Sequence, residues 1–317
     1  MKIKTTLLAL SVATSPAFAK LADRQGFSGE ISINTGVTSS TSNFNTNADR
    51  TLSSNNQKAS SESSFIVMPL GSIAYTFGRN LNHQVYTGTT RDDIATGTVV
   101  LEVGYKYQLP SGMVIDASIL PTIMSGETWA DPYNTTSART ETDETGNAFR
   151  LKLNRIAGSA FSLDMAYATK DVDNDLVRQE LQRDADTFYL KAQYRQPVSR
   201  TMMLAPSLIY QSSSADGNAA SYEQFGAKIS LFGGAGRHGY ALTAGYNQRA
   251  YDASNPIYNQ TRRDDNINLF AAYEYSQFMN WQNWSFVSLA GYGHSDSNIT
   301  FYDESQYIVS VGINYKF

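Results

Sequence analysis

The feature that most restricts the fold of this chain is a period-two alternation of apolar and polar residues, which recurs in segments of about ten residues. Alternation with this period is typical of a β-strand that has one apolar and one polar face. The final segment, YIVSVGINYKF, has on its apolar face Tyr307, Val309, Val311, Ile313, Tyr315 and Phe317. About fourteen such segments follow residue 26, so the chain is predicted to be all-β.

The links between these segments alternate in length. Tight links such as LPSG and PVSR follow the even-numbered segments, and mostly longer polar links follow the odd-numbered ones. The longest predicted loops are 37–69, 125–147, 171–186 and 251–265. All tight turns then lie at one end and all large loops at the other, as in transmembrane antiparallel up-and-down β-barrels.

Charge placement separates a membrane barrel from a soluble β-sandwich, the competing fold. The apolar faces of the segments carry no Asp, Glu, Lys or Arg in a strand interior. A cation at the middle of a bilayer costs roughly 2–4 kcal/mol, whereas the outer face of a sandwich carries charge freely. Aromatic residues also cluster near both ends of the segments, as expected of two interfacial girdles. The predicted fold is therefore an outer-membrane β-barrel of about fourteen strands.

The N-terminus has the layout of a secretory signal peptide. Lys2 and Lys4 precede an apolar run, and Ala17-Phe18-Ala19 is a small-x-small cleavage signal. Residues 1–19 are expected to be removed, leaving residues 20–317 as a single barrel domain. The net charge of −4 argues against a nucleic-acid partner. The predicted location is the outer membrane of a Gram-negative bacterium.

Barrel closure is predicted to join the last strand to the first, because an open sheet edge would leave backbone groups unpaired in lipid. Tyr315 and Phe317 also resemble the C-terminal signal that outer-membrane proteins present to the barrel-assembly machinery. That machinery, outer-membrane lipid and lipopolysaccharide are the predicted partners.

The polar faces of the strands predict a water-filled lumen of mixed charge. The charged residues expected to line it are Glu30, Glu102, Lys106, Asp116, Arg150, Lys152, Asp164, Lys191, Lys228 and Glu274. Eight-stranded barrels fill with side chains and sixteen-stranded porins hold an aqueous channel, and fourteen strands lie nearer the porins. A lattice of ion pairs that only stiffens the wall is the alternative interpretation.

Two loops are candidates to narrow the pore. The first, rich in Ser and Asn, is expected to be flexible and external, and it is the first candidate to cover the mouth. The segment IMSGETWADPY is unusually aromatic for a loop. Its candidates for a constriction or a solute contact are Glu127, Trp129, Asp131 and Tyr133, and the simpler alternative is an interfacial aromatic residue packed against the rim.

Catalytic chemistry is not expected. The chain has three histidines, His83, His238 and His294, and contains no G-x-S-x-G motif. A general base formed by His294 with a nearby carboxylate is chemically possible, but the spacing matches no enzyme motif. We therefore predict no enzymatic activity, no cofactor and no metal site.

Several longer stretches carry a family resemblance: GFSGEISIN, RDDIATGT, PTIMSGETWADPY, TRRDDNINLFAAYEY and SDSNITFYDESQYIVSVGINYKF. Over most of the barrel the sequence resembles the outer-membrane proteins grouped as domain of unknown function 2860. The resemblance implies an outer-membrane barrel and brings no substrate and no site residues.

Three functions are compatible with this sequence. The leading hypothesis is a porin-like channel for passive diffusion of small hydrophilic solutes. The alternatives are a carrier of hydrophobic compounds with a lateral exit, and a receptor or structural barrel that acts through its loops without transport.

Overall fold

The computed structural model describes residues 20–90, 93–94, 97, 100–121 and 126–317, so the predicted signal peptide lies outside the described residues. Within them, no helix has the length and apolar character needed to cross a bilayer. The strands are β1 (Gly26–Thr41), β2 (Ser61–Phe77), β3 (His83–Gly88), β4 (Glu102–Gln108), β5 (Val114–Pro121), β6 (Gly126–Trp129), β7 (Glu141–Asn154), β8 (Phe161–Val172), β9 (Ala185–Tyr194), β10 (Gln196–Pro197), β11 (Met202–Ala215), β12 (Tyr222–Ala235), β13 (His238–Asn255), β14 (Gln260–Ser276), β15 (Trp284–Ser297) and β16 (Glu304–Lys316).

These strands form one closed antiparallel wall. The short β6 and β10 are additions that pair with β7 and β11, and the other fourteen described strands make up the barrel. Each pairs with its neighbours in chain order, β9 pairs with β11, and β16 pairs with β1. The predicted fold, an antiparallel up-and-down barrel of about fourteen strands, is confirmed.

The seam between the first and last strands is fully paired. The register runs from Glu30 opposite Lys316 to Thr41 opposite Ser305. Beyond it, the backbone N–H groups of Gly29 and Phe317 each donate to the other residue's carbonyl oxygen at 3.0 Å. A side chain at Gly29 would meet the Phe317 ring, since a Cβ there would lie 2.8 Å from Cζ. The missing side chain of Gly29 therefore leaves room for the terminal ring.

The outer surface is an apolar band between two rows of aromatic rings. Ile33 and Val37 on β1 are at least half exposed because they face outward. At the turn end, rings on neighbouring strands touch, with centroids 4.9 Å apart for both Phe27–Tyr75 and Trp284–Tyr315. Such an exterior fits a bilayer, with the girdles at its two interfaces.

The strands extend further into the polar sequence than predicted. The connections are residues 42–60, 130–140, 173–184 and 256–259, so the predicted loop bounds 37–69, 125–147, 171–186 and 251–265 are too wide. Beyond the bilayer both faces of a strand meet water, and the apolar alternation ends although pairing continues. Asp264 faces inward and Asp265 outward within β14, which shows this loss of pattern.

Candidate pore constriction

After β3, the described residues Asp93 and Gly97 of the link to β4 lie inside the lumen. β3 pairs with β2 only from Gly88 to His83, whereas β2 continues to Ser61. Gly88 has φ +123°, and a Cβ there would lie 2.2 Å from the carbonyl oxygen of Gly71. Only glycine fits this close approach, at the residue where the chain turns away from β2.

Asp93 fixes one end of this segment to the inner face of β7. Its carboxylate accepts hydrogen bonds from both terminal nitrogens of Arg150 at 3.2 Å and from Lys152 Nζ at 3.0 Å. The hydroxyl of Thr90 also donates to it at 2.6 Å. Charge-assisted bonds of this kind are roughly twice as strong as neutral ones. The carboxylate is therefore a strong anchor.

The other end of the segment contacts the opposite wall. A Cβ at Gly97 would lie 2.9 Å from the ring of Phe270, which faces inward from β14. β7 and β14 are six steps apart in a wall of fourteen described strands, so they lie nearly opposite each other. The described residues Asp93, Ile94 and Gly97 are called the crossing segment below. Because Asp93 binds Arg150 of β7 and Gly97 contacts Phe270 of β14, the crossing segment and these two side chains together bridge the lumen, and this bridge is the candidate constriction.

Arg150 is the centre of the charges under the crossing segment. Besides Asp93, it donates to Asp164 from Nε at 2.8 Å and from Nη2 at 2.7 Å, and its Nη1 donates to Glu102. Lys191 reaches Asp164 from the next strand at 3.2 Å. Each carboxylate here has a cationic partner, which is the condition for burying such groups without a large desolvation penalty.

Tyr86 links two carboxylates in the same network. Its hydroxyl lies 2.8 Å from Glu102 and 2.7 Å from Asp116. Lys106 sits 4.2 Å from the centre of the Tyr86 ring and 3.9 Å from the Asp116 carboxylate. The inner faces of β3, β4, β5 and β7 are thus joined by one network of ion pairs and hydrogen bonds.

A polar chamber lies on the turn side of the crossing segment. It has a volume of about 400 Å³, and charged and amide side chains form much of its lining. The side-chain amide of Gln84 reaches the Leu21 carbonyl oxygen at 3.5 Å, so the chain before β1 enters this mouth. The polar and charged residues that line it include Gln84, Lys106, Asp116, Asn154, Gln193 and Arg195.

A second polar chamber lies on the loop side, between β12 and β1. Its volume is about 260 Å³. Amides and hydroxyls dominate, with one cation and one carboxylate, and the lining includes Ser40, Gln224, Asn247, Arg249, Asn266, Asn268, Glu304 and Gln306. Such a surface presents many hydrogen-bond donors and acceptors with little net charge.

The loops above this chamber pack into an aromatic cap. Leu52, Ile299, Phe301 and Tyr302 are buried together, with Phe44, Tyr133 and Tyr258 against them. The hydroxyls of Tyr133 and Tyr302 are 2.6 Å apart, and burial raises the pKa of both phenols. The first loop was predicted to be flexible, but Phe44 and Leu52 pack it into this cap.

Arg139 connects the first loop to Trp129 of β6. Its guanidinium lies 4.2 Å from the centre of the fully buried Trp129 ring and donates to the carbonyl oxygens of Asn43 and Asp49. The stacked ring and the charged donor group hold two loops together.

The predicted pore-lining residues all lie on the inner face of the wall. Seven of them surround the anchor of the crossing segment: Glu102, Lys106, Asp116, Arg150, Lys152, Asp164 and Lys191. Lys228 lies near them on β12. Glu30 and Glu274 lie nearer the turn end of the barrel. There, Lys316 Nζ donates to the Glu274 carboxylate at 2.7 Å, and the side-chain amide of Asn314 donates to Glu30.

The four residues predicted for a constriction or a solute contact lie elsewhere. Trp129 and Tyr133 belong to the cap, Glu127 is exposed on β6, and Asp131 accepts the Tyr133 backbone N–H at 2.9 Å. The narrow point described above is formed at the crossing segment, which the sequence pattern places among the longer polar links. The signal available in the sequence was the short alternating segment near residues 82–89 together with Gly88 and Gly97.

Comparisons with known proteins agree with this architecture. The family model described as "Protein of unknown function (DUF2860)" matches residues 26–316. No curated protein matches the chain. Similar solved structures include the "TodX monoaromatic hydrocarbon channel deltaS2 mutant" (10% identity, TM-score 0.49, covering 96% of this chain and 93% of that one) and the "CymD monoaromatic hydrocarbon channel" (11%, 0.48, 93% and 89%). The "Outer-membrane expressed OmpT of Vibrio cholerae" is also similar (10%, 0.44, 94% and 100%). At these values the likenesses concern the barrel fold and carry no argument about solutes.

Proposed function

The chain belongs to the DUF2860 family, and from that premise we propose that it is an outer-membrane channel for passive diffusion of small hydrophilic solutes. The observation that carries this proposal is the pair of polar chambers on either side of the crossing segment. Their linings offer hydrogen bonds to a solute that must shed part of its hydration at the narrow point.

The chamber sizes support solutes of monosaccharide size. The turn-side volume of about 400 Å³ lies in the lower part of the range for small-molecule sites, about 300–1,000 Å³, and the loop-side volume of about 260 Å³ lies just below that range. The amide-rich loop-side chamber favours neutral or zwitterionic compounds over strongly charged ones. A mixed lining of Arg249 and Glu304 fits a compound that carries both charges or none.

The charges near the narrow point support a weak preference for anions. Among the described residues, five cations (Lys106, Arg150, Lys152, Lys191 and Lys228) face four carboxylates (Asp93, Glu102, Asp116 and Asp164), which leaves one positive charge in excess. Lys228 supplies it, since within the described part of the chain it makes no ion pair.

Liposome swelling with refolded protein tests the proposal. We expect swelling with monosaccharides, much slower swelling with trisaccharides, and none with heat-denatured protein as the control. In planar bilayers under a salt gradient, the reversal potential should indicate weak anion preference, and Lys228→Gln should reduce that preference. Absence of both swelling and conductance would overturn the proposal.

The proposal assigns no catalytic role to the barrel. His83 and His238 lie in the turn-end girdle, where each ring is hydrogen-bonded to a tyrosine hydroxyl, at 2.6 Å from Tyr105 and 2.7 Å from Tyr273. The ring of His294 lies 3.1 Å from the carbonyl oxygen of Glu304. Assays for esterase, phospholipase and protease activity on purified protein test this assignment, and activity lost in His294→Ala would contradict it.

The proposed partners follow from the barrel surface. Lipid and lipopolysaccharide would contact the apolar band, and the barrel-assembly machinery would bind the strand that ends in Tyr315 and Phe317. Phe317→Ala should slow insertion into the outer membrane more than refolding into detergent, if the terminal ring is read by that machinery. Equal slowing in both settings would assign the ring to packing alone.

A further inference from the structure

The tight turns of the barrel carry charge of one sign. These turns are residues 78–82, 109–113, 155–160, 195–201, 236–237 and 277–283. Their sequences contain no Asp, Glu or Lys, and their arginines are Arg79, Arg155, Arg195, Arg200 and Arg237. The tight turns of outer-membrane barrels face the periplasm. A positive surface therefore lies at the periplasmic leaflet of the membrane.

His238 begins β13 directly after one of these turns and packs on two tyrosines of β14. Its ring centroid lies 5.1 Å from that of Tyr275, and its Nδ1 lies 2.7 Å from the hydroxyl oxygen of Tyr273. The backbone N–H of Ser276 donates to the carbonyl oxygen of Arg237 at 2.8 Å, which fixes the turn against β14. The residues His238, Tyr273, Tyr275 and Arg237 are called the 238 site below.

The side chain of Arg237 is exposed but held in place. Its Nη1 donates to the amide oxygen of Asn280 at 2.8 Å and to the carbonyl oxygen of Gln277 at 3.5 Å, in the turn that follows β14. A guanidinium has five N–H donors in a planar fork, so Nε and Nη2 can bind two oxygens of one phosphate. The cation of the 238 site is therefore positioned before any ligand arrives.

A second cluster repeats this geometry. His83 begins β3 after the turn at 78–82, with its ring centroid 5.0 Å from that of Tyr107 and its Nδ1 2.6 Å from the Tyr105 hydroxyl oxygen. The residue before the histidine again accepts a backbone N–H, here from Gln108 at 2.9 Å. The exposed Arg79 supplies the cation, and His83, Tyr105, Tyr107 and Arg79 are called the 83 site. β3 and β13 are six steps apart in a wall of fourteen described strands, so the two sites lie nearly opposite each other.

Both sites offer the groups that bind a phospholipid phosphate. When the tyrosine hydroxyl donates to Nδ1 of the histidine, the imidazole proton is on Nε2, across the ring, where it can donate to an anion. Arginine binds phosphate oxygens in pairs, and basic pockets at a membrane surface bind anionic lipid headgroups. Aromatic girdles lie at the level of these headgroups. The turn that binds Arg237 also carries Trp281, which is 53% exposed, so the 238 site lies at that level.

The surface next to each site favours a lipid over a free phosphate ion. From each histidine, the outward face of the strand continues into the apolar band, with the exposed Val85 on β3 and the exposed Leu242 on β13. A lipid whose phosphate is held at the site would therefore have its acyl chains against an apolar wall. Lipopolysaccharide does not compete, because it occupies the opposite leaflet.

We propose that the 83 site and the 238 site each bind the phosphodiester of one anionic glycerophospholipid from the periplasmic leaflet. The two bound lipids hold opposite sides of the turn end at the level of the headgroups. This binding is separate from the proposed channel, because both sites lie on the outer face of the wall.

Native mass spectrometry of the purified barrel tests the stoichiometry. We expect two phosphatidylglycerol molecules to be retained at concentrations where phosphatidylcholine, whose choline group repels the arginine, is not. His238→Phe with Arg237→Gln keeps an aromatic ring in the girdle, and it should retain one lipid because binding at the 238 site weakens about tenfold or more. His83→Phe with Arg79→Gln should likewise lose one lipid.

The matched control is Arg200→Gln, which removes an exposed charge from the turn before β11, away from both sites. It should retain two lipids. Equal retention by the wild type and both double variants, or the same loss in Arg200→Gln, would overturn the two sites.

Quenching of tryptophan by brominated lipid tests the 238 site without altering its residues. In a Trp129→Phe barrel, the remaining tryptophans are Trp281 and Trp284, and Trp281 lies in the turn that binds Arg237. Phosphatidylglycerol brominated near the glycerol should quench them more strongly than phosphatidylcholine brominated at the same position. Excess inorganic phosphate, compared with chloride at equal ionic strength, should leave this preference unchanged. Equal quenching by the two lipids, or loss of the preference in phosphate, would overturn a phospholipid site.

Discussion

Replacing Asp93 by Asn tests how the crossing segment is held. The substitution keeps the size of the side chain but removes the charge that binds Arg150 and Lys152. A hydrogen bond to a charged group contributes about 1.5–3 kcal/mol, and breaking a buried pair costs about 3–5 kcal/mol. Arg150 and Lys152 keep Glu102 and Asp164 as partners, so the lower end of the 3–5 kcal/mol range for breaking a buried pair applies.

The expected loss is therefore about 3 kcal/mol for the docked segment, which shifts its equilibrium towards release by roughly a hundredfold. A released segment no longer narrows the lumen. In single-channel recordings, we expect Asp93→Asn to raise the conductance or to switch between a low and a high level where the wild type stays at the low level.

The matched control is Asp265→Asn, which neutralises an exposed carboxylate on the outer face of β14. It should leave conductance at the wild-type level. If Asp93→Asn has the same conductance and the same current noise as the wild type and Asp265→Asn, Asp93 does not hold a constriction and the reasoning fails.

Three further substitutions or conditions test other parts of the structure. Gly71→Val should lower the yield of heat-modifiable folded barrel on gels, because a Cβ there would lie 2.1 Å from the Glu30 carbonyl oxygen at φ +140°, and a wild-type yield would contradict this. Arg139→Ala should expose Trp129 and red-shift its emission in a chain whose other tryptophans are replaced by Phe, and an unshifted spectrum would argue against the cap. The raised pKa of Tyr302 means that the folded cap holds this proton more tightly than the unfolded chain, so its stabilisation is complete below the ordinary pKa of 10.0 and declines as the pH rises above it. In a titration followed by tyrosinate absorbance, some phenols should therefore ionise above pH 10. A single transition near pH 10.0 for all tyrosines would contradict the burial.

The barrel itself could be predicted from sequence because the bilayer imposes a simple rule. Outward positions such as Ile33 and Val311 must be apolar, and inward ones such as Asn34 need not be. The alternation of tight and long links then orients the strands. The seam through Phe317 follows from the same rule, since lipid does not tolerate an open edge.

The constriction could not be predicted, because its position depends on contacts between distant parts of the chain. Asp93 sits in an acidic stretch that looks like solvated loop, and only the structure brings it to Arg150. The packing of Trp129 and Tyr133 into the cap could not be predicted either. An aromatic residue in a loop is compatible with a pore and with a cap. Contacts with distant residues place these two in the cap, since Arg139 stacks on Trp129 and Tyr302 is hydrogen-bonded to Tyr133.

The span of the lumen by the crossing segment is tested most directly by a disulfide between Gly97→Cys and Phe270→Cys. A Cβ at Gly97 would lie 3.2 Å from the Phe270 Cβ, close to the separation of about 3.5–4.5 Å in disulfides. The chain has no other cysteine, and Gly97→Cys with Ser207→Cys on β11 is the control pair. Mild oxidation should cross-link the 97–270 pair and not the control. Two free, reactive thiols at 97 and 270 under the same conditions would show that the segment does not reach β14.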